Sequence, residues 1–208
     1  MKAPNTRASF LDVTATPCPI VILAAGGSTR MGGRDKLLET VDGQPLIRTQ
    51  VCRALATGQA VFVTLPAMDH PRARVIADLD SQMVPLPDGA TGISASLRAG
   101  VCALPQVDAF MVMLADLVAV QTADLNAVLR ARSENPAAKV WRASTRAKKP
   151  GHPVIFDASL RPAFAQLRGD QGAAAIIATQ PVHLVPIGDQ ALLDLDSPVD
   201  WAKWRART

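Results

Sequence analysis

A run of six apolar residues, Ala109 to Leu114, is the feature that most limits how this chain can fold. A strand that lacks polar residues on either face must be covered on both, as in parallel sheets flanked by helices. Apolar runs at Pro19 to Ala25 and Ala60 to Leu65 have the same character, and stretches with helical spacing separate the runs. The chain is therefore predicted to form an α/β fold, a three-layer αβα sandwich around a mostly parallel sheet.

The predicted elements alternate along the whole chain. Strands are expected over residues 19–25, 60–65, 82–86, 109–114, 139–142, 152–156, 182–186 and 192–195. Helices are expected over residues 46–55, 69–79, 93–101, 122–132, 160–167 and 172–179, with a last one near the C-terminus. Ser197 can cap that last helix, with Pro198 at its first position.

The composition limits the classes of function. Apolar residues make up 49 % of the chain and charged residues 19 %, which suits a folded protein with a sizeable core. The formal charge is +4, but the basic residues are scattered and aromatic residues are only 4 %, so a nucleic-acid groove with stacking platforms is excluded. This charge can simply reflect a mildly basic surface. It can also serve a function by attracting an anionic ligand such as a nucleotide.

The cysteines and the N-terminus bear on location. Cys18, Cys52 and Cys102 are far apart and odd in number, which fits neither a disulfide framework nor a zinc site and favours a reducing compartment. The first residues lack the apolar run of a signal peptide, and no stretch approaches the ~20 apolar residues of a membrane span. We therefore expect a cytoplasmic protein with a flexible N-terminal extension over 1–18 and a single domain over 19–208.

A glycine-rich loop follows the first predicted strand. The segment from Leu23 to Lys36 holds four glycines, a serine and three basic residues. The backbone N–H groups of such a loop form an anion-binding concavity, and Arg30 and Lys36 add positive charge where triphosphate oxygens can lie. Two better-known phosphate loops do not fit, because G-x-G-x-x-G is absent and Gly33 stands where a P-loop requires lysine.

Asp116 is the first charged residue after the longest apolar run. Ligands of open α/β sheets gather beyond the carboxyl ends of the strands, which is where this aspartate is expected. A carboxylate there can hold Mg²⁺, which prefers oxygen ligands and usually bridges substrate phosphates. Capping of the next helix is the alternative role for Asp116.

The glycine-rich segment resembles the signature of sugar-phosphate and molybdenum-cofactor nucleotidyltransferases. Ala115 to Val118 is similar to the metal-binding motif of that family but lacks its proline, and Leu193 to Asp200 is similar to its C-terminal acidic segment. Lys149 to Phe156 and Leu167 to Gly172 resemble segments of the molybdenum-cofactor cytidylyltransferases and guanylyltransferases. The resemblance covers nearly the whole chain and implies a Rossmann-like nucleotidyltransferase fold.

This resemblance implies roles for the matching residues. Arg30, Lys36 and Asp116 would be catalytic, and Asp116 and Asp196 would bind the metal. The nucleotide would be bound by Leu23, Ala24, Ala25, Gly26, Gly27, Ser28, Arg30, Lys36, Asp88, Gly92 and Ser96. Asp88 is included because the asparagine that the family often has near the position of Leu86 is missing.

Several of these roles have a structural alternative. Asp196 can equally be a helix-dipole partner beside Ser197, and Ser96 can belong to a helix cap. His152 and Asp170 would lie on the acceptor side, near pterin and phosphate, although Asp170 can instead cap the helix that follows it.

The implied reaction is Mg²⁺-dependent transfer of CMP from CTP to the terminal phosphate of Mo-molybdopterin. The products would be molybdopterin cytosine dinucleotide and pyrophosphate, and a molybdenum hydroxylase could receive the dinucleotide. CTP is preferred because Ala24-Ala25-Gly26 is typical of the family members that use it. Three alternatives stay open: a guanylyltransferase, another transferase of NMP to a phosphate acceptor, and a non-catalytic molybdopterin carrier.

Overall fold

The computed structural model describes residues 16–206, and this part of the chain contains nine strands and seven α-helices. The strands are β1 (Ile20–Leu23), β2 (Thr40–Val41), β3 (Gln44–Pro45), β4 (Val61–Leu65), β5 (Gln82–Pro85), β6 (Ala109–Leu114), β7 (Val140–Ser144), β8 (Pro150–Asp157) and β9 (Val182–Pro186). The helices are α1 (Leu46–Leu55), α2 (Pro71–Arg74), α3 (Gly92–Cys102), α4 (Thr122–Glu134), α5 (Arg161–Ala165), α6 (Ala174–Ile177) and α7 (Pro198–Arg205). Among these residues no helix is both long enough and apolar enough to cross a membrane.

Seven strands form one sheet in the order β5-β4-β1-β6-β8-β7-β9. Strands β5, β4, β1 and β6 are mutually parallel, and β9 is parallel to β7. Strand β8 runs antiparallel to both of its neighbours, β6 and β7. The sheet is therefore mostly parallel, as the apolar runs predicted.

Both faces of the sheet are covered, which confirms the three-layer prediction. Along β1, Ile20 and Ile22 belong to one buried apolar cluster and Val21 belongs to the other. The first cluster also takes in apolar side chains of α1, α4 and α7, and the second takes in those of α3 and α5. This two-sided burial explains why β1 and β6 carry no polar residue.

Close packing of α3 on the sheet depends on Gly100. A Cβ atom at this position would lie 2.4 Å from Cγ1 of Val21 and 3.0 Å from Cγ2 of Thr64. A real side chain would have to push the helix away from β1 and β4. The glycine therefore sets the height of α3 above the strands whose ends form the site described below.

Three elements differ from their prediction. The helix expected over 69–79 is the single turn α2, after which the chain continues as turns with backbone bonds from Ile76 to Ala73 and from Leu79 to Ile76. Arg48 donates to the carbonyl oxygen of Val75 at 2.9 Å and pairs with Asp78 beyond the end of α2. The strand expected over 192–195 is absent, since a 3₁₀ turn covers Asp189–Leu192. The β2–β3 hairpin was not predicted because its strands have two residues each.

Candidate active site

The glycine-rich loop and Asp116 meet at one edge of the sheet. Leu23, at the end of β1, is the register partner of Leu114, at the end of the parallel strand β6. Since parallel strands end on the same side, the segment after Leu23 and the segment after Leu114 emerge next to each other. The predicted phosphate loop and the predicted metal ligand are thus neighbours because of the sheet topology.

Lys36 is the centre of a network of charged groups at this edge. Its Nζ lies 2.6 Å from Oδ2 of Asp116 and 2.6 Å from Oδ1 of Asp196, while Arg30 pairs with the other carboxylate oxygen of Asp196. Burial on its own would lower the pKa of Lys36, but the two carboxylates outweigh it and raise the pKa above its ordinary value. The ammonium is therefore held charged.

One oxygen of the network has no partner. Oδ1 of Asp116 is buried and accepts no hydrogen bond from any described residue. A buried carboxylate oxygen that lacks a donor is unfavourable unless a cation or a ligand binds it. Within residues 16–206 no group of three or more His, Cys, Asp or Glu side chains forms a metal site by itself. A divalent cation here would take protein ligands from Asp116 and Asp196 and the rest from substrate phosphates.

A cavity of about 620 Å³ opens beside this network. Its walls come from the glycine-rich loop, from the segment that leads into α3 and from the ends of β1 and β6. Of the residues predicted to bind nucleotide or metal, those that line the cavity are Leu23, Ala25, Gly26, Gly27, Ser28, Arg30, Lys36, Gly92, Ser96, Asp116 and Asp196. Ala24 is fully buried beneath the loop, and Asp88 is exposed outside the cavity wall.

The structure contradicts the capping alternative for Asp116. The helix after Asp116 is α4, which is capped by Gln121 and Asp124. Ser197 and Asp200 form the capping box of α7, while Asp196 bonds to Arg30 and Lys36. Both aspartates therefore belong to the charged network, and Asp196 also lies directly before the N-terminus of α7, where a helix-dipole role remains open.

The loop that carries Asp170 lies against the start of α3. A Cβ atom on Gly92 would be 2.7 Å from the carbonyl oxygen of Gly169 and 2.9 Å from Oδ1 of Asp170. Helix α6 begins at Ala174 without a side-chain cap, so Asp170 does not cap it. Ser96 lies inside α3 rather than at its cap. Asp170 is outside the cavity wall and next to it.

His152 lies on β8, beside the end of β6, and is mostly buried. Its Nδ1 has no hydrogen-bond partner among the described residues. Burial, followed by the charge of Arg142, lowers the pKa of His152 to about 4, while a hydrogen bond with the backbone of Val112 and the charge of Asp116 oppose this shift. The imidazole is thus neutral near pH 7. Arg142, which the sequence analysis did not single out, donates from Nε to the carbonyl oxygen of Gly151 at 3.0 Å.

A buried arginine beneath the glycine-rich loop was also missed. The side chain of Arg72, on α2, is 2 % exposed and pairs with Asp35 through Nε at 2.7 Å. Arginine is rarely buried unless it is paired, and the sequence does not show which residue would pair with Arg72. Its burial could therefore not be predicted. The pair brings together positions that are 37 residues apart, which no local pattern reveals.

Comparison with known proteins places these features in a family. Residues 20–185 match the model of the MobA-like NTP transferase domain. A probable molybdenum cofactor guanylyltransferase of Synechococcus elongatus is 29 % identical over 187 residues, covering 86 % of this chain and 94 % of that protein. The nicotine blue oxidoreductase of Paenarthrobacter nicotinovorans is 28 % identical over 186 residues, covering 86 % and 91 %.

Solved structures share the fold. Rv0371c of Mycobacterium tuberculosis superposes with a TM-score of 0.76 at 26 % identity, covering 91 % of this chain and 98 % of that one. A complex of Rv0371c with manganese superposes with a TM-score of 0.75 at 23 % identity, covering 93 % and 100 %. From the match over residues 20–185, the chain belongs to the MobA-like NTP transferase family and is a nucleotidyltransferase.

Proposed function

We propose that this enzyme transfers CMP from CTP to the terminal phosphate of Mo-molybdopterin, with Mg²⁺, and releases pyrophosphate. The observation that carries the proposal is the joining of Lys36 to Asp116 and Asp196 at the mouth of the cavity. A set of two carboxylates and a lysine beside a glycine-rich loop suits the handling of a metal-bound triphosphate. The resemblance of the acceptor segments and the guanylyltransferase named among the relatives support a molybdopterin acceptor.

The protein groups would act mainly through charge. Both substrates are anionic, so the reaction needs positive groups placed where charge develops. Arg30, Lys36 and the N–H groups of the loop would stabilise the transferring nucleotidyl group and the leaving pyrophosphate. Asp116 and Asp196 would hold Mg²⁺, which supplies charge to polarise the phosphate oxygens. No nucleophilic side chain is required, because an acceptor phosphate oxygen attacks the α-phosphorus directly.

The acceptor would occupy the side of the cavity near β8. His152 is neutral near pH 7 and can exchange hydrogen bonds with a pterin without adding charge. Asp170 lies beside Gly92, which lines the cavity, and is proposed to contact the acceptor. We further propose a single domain over 19–208, a cytoplasmic location and delivery of the product to a molybdenum hydroxylase.

GTP is the second candidate for the donor. The relative named as a guanylyltransferase favours it, whereas Ala24-Ala25-Gly26 favours CTP by resemblance. Asp88, proposed as a base contact, lies outside the cavity wall as the structure stands. Contact between Asp88 and a base would therefore require movement of the 87–91 segment.

Pyrophosphate release with Mg²⁺, Mo-molybdopterin and either CTP or GTP tests the proposal. Release from CTP that depends on the acceptor and is lost in Asp116→Ala would support cytidylyl transfer. Release from GTP alone would keep the enzyme class and reassign the base. Binding of molybdopterin without release from any nucleotide would favour the carrier.

A further inference from the structure

Arg72 is a buried charged side chain that lies beneath the glycine-rich loop. It is 2 % exposed and makes bonds from all three of its guanidinium nitrogens. Nε and Nη2 donate to the carboxylate of Asp35 at 2.7 and 2.8 Å, and Nη1 donates to the carbonyl oxygen of Ala24 at 2.6 Å. Nη2 also donates to Oγ of Ser28 at 3.2 Å.

These bonds join three points of one loop. Ala24 precedes the glycines, Ser28 follows the first two of them, and Asp35 stands directly before Lys36. Asp35 also accepts from the backbone N–H of Leu37 at 3.0 Å, so its carboxylate is fixed from both sides. Arg72 thus connects the start, the middle and the end of the segment that surrounds the phosphate cavity.

The backbone at Ser28 is one part of the loop that the bonds of Arg72 hold in place. Its φ of 48° lies in the left-handed region, which is unfavourable for a residue with a side chain. Its hydroxyl accepts from Arg72 and from the backbone N–H of Lys36, the latter at 3.3 Å. The hydroxyl is therefore hydrogen-bonded beneath the loop. These bonds on the inner side of the loop compensate for the unfavourable φ of Ser28.

Stability alone does not account for a buried pair of this kind. Removing two charges from water has a large desolvation penalty, and a well-packed apolar pair often serves stability equally well. An apolar pair, however, cannot bind a carbonyl, a hydroxyl and a carboxylate at fixed angles, as the planar guanidinium group of Arg72 does. The distinctive contribution of the pair is the shape of the loop.

We propose that Arg72 and Asp35 are positioning residues that hold the glycine-rich loop, and with it Lys36, in the conformation that receives the triphosphate. Neither residue would touch the substrate, and both would act through Ser28, Ala24 and the backbone of Lys36. The proposal rests on the proposed function only in that the loop binds a nucleoside triphosphate. It assigns the hydroxyl of Ser28 to the protein interior rather than to a phosphate.

The test compares Arg72→Gln with a matched control pair elsewhere in the molecule. Arg48 binds Asp78 through two bonds of 2.5 and 2.7 Å, and neither residue lines the cavity. Asp78→Asn therefore breaks an arginine–aspartate fork while the bond from Arg48 to the carbonyl oxygen of Val75, at the end of α2, stays in place. The first readout is hydrogen exchange of the backbone amides of residues 24–37 in the free protein. We expect exchange at least about tenfold faster in Arg72→Gln and unchanged in Asp78→Asn.

The second readout is binding of CTP and GTP with Mg²⁺, beside binding of Mn²⁺ alone. Arg72→Gln is expected to weaken nucleotide binding about ten- to a hundredfold. Its Mn²⁺ affinity should not fall, since Asp116 and Asp196 are retained and a loosened Lys36 competes less for them. Arg72→Lys should rescue little, because an ammonium cannot reproduce the fork.

Ser28→Gly keeps the test decisive if Arg72→Gln fails to fold. Glycine adopts a φ of 48° freely, so this change removes the hydroxyl without a buried unpaired charge. Faster exchange over residues 24–37 and weaker nucleotide binding in Ser28→Gly would support the proposal. Wild-type exchange and wild-type affinity in Ser28→Gly, or in a folded Arg72→Gln, would overturn it. If the wild type releases no pyrophosphate, the proposed function fails while the exchange readout still decides this inference.

Discussion

The ammonium of Lys36 and the carboxylate of Asp116 lie 2.6 Å apart although 80 positions separate them in the chain. The same ammonium contacts Asp196, 160 positions away. The cation thus occupies the space between the two carboxylates that are proposed to hold a metal. This relationship gives the first two predictions, because the two partners should respond to substitution in opposite ways.

Asp116→Asn should weaken metal binding and remove transfer together. The change deletes a charge from a site that has two carboxylates and leaves Oδ1 without its expected cation. We expect transfer to fall about 10²- to 10³-fold, with weaker Mn²⁺ binding followed by electron paramagnetic resonance. Asp78→Asn, in the distant pair with Arg48, is the matched control. Equal Mn²⁺ affinity in wild type and Asp116→Asn would remove Asp116 from the metal site.

Lys36→Ala should tighten metal binding while it slows transfer. The lysine pairs with both carboxylates and offsets part of their charge, so its loss frees them for a cation. We expect Mn²⁺ affinity to rise about three- to tenfold, which is the scale of one partly exposed ion pair. Transfer should fall about 10²-fold or more, since the positive group beside the phosphates is gone. Metal affinity and transfer that fall together would contradict the arrangement proposed here.

The stability of the fold should decrease in mild acid because His152 must stay neutral. Its pKa is lowered from 6.5 to about 4, mainly by burial. Between these values the unfolded chain binds a proton that the folded chain does not, so the free energy of unfolding falls as the pH falls. This residue should contribute a loss of about 3 kcal/mol at most by pH 4.

Urea denaturation of wild type and His152→Gln between pH 8 and pH 4.5 measures this effect. Glutamine does not titrate, so the variant should lose less stability than the wild type across the range. The difference between the two proteins at pH 8 gives the change in packing, which is subtracted. Parallel curves for the two proteins would show that His152 is not the titrating group.

Gly92→Ala should disturb the contact between the start of α3 and the loop that carries Asp170. The position has a φ of +80°, and the added Cβ would meet the carbonyl oxygen of Gly169 at 2.7 Å. Gly58→Ala is the matched control, since Gly58 has a φ of +75° with nothing within 4 Å of the added atom. Both variants should lose about 1–2 kcal/mol from backbone strain.

Only Gly92→Ala should lose further stability and weaken nucleotide binding, because the 167–172 loop has to move. Chemical denaturation and titration with CTP and GTP would separate the two effects. If the two variants are equally stable and bind nucleotide equally, the contact between Gly92 and Gly169 does not shape the cavity.

The meeting of the glycine-rich loop and Asp116 in the candidate site could be predicted from sequence because each of these parts is local. The glycines, Arg30 and Lys36 lie within one segment, and Asp116 follows a strand whose burial is evident from its composition. Parallel pairing of β1 and β6 then brings the two parts together without further information. The three-layer fold followed from the same apolar runs.

The remaining features depend on contacts between distant segments. A four-residue helix with two arginines resembles a solvated turn, and only the fold shows that Arg72 points inward to Asp35. The Asp42-Gly43 turn of the β2–β3 hairpin did carry a local pattern, since both residues have positive φ and such pairs favour tight hairpins. No local pattern in the sequence of β8 indicates that this strand runs antiparallel to its neighbours.

The reversal of β8 has a consequence for how the protein is made. Strand β7 is synthesised before β8 but is joined to the rest of the sheet only through it, because β7 pairs with β8 and β9 alone. Strands β1, β4, β5 and β6 already have one another as partners once Leu114 has left the ribosome. The half that carries the glycine-rich loop and Asp116 can therefore assemble during translation, and β7, β8 and β9 can add to it only as a later block.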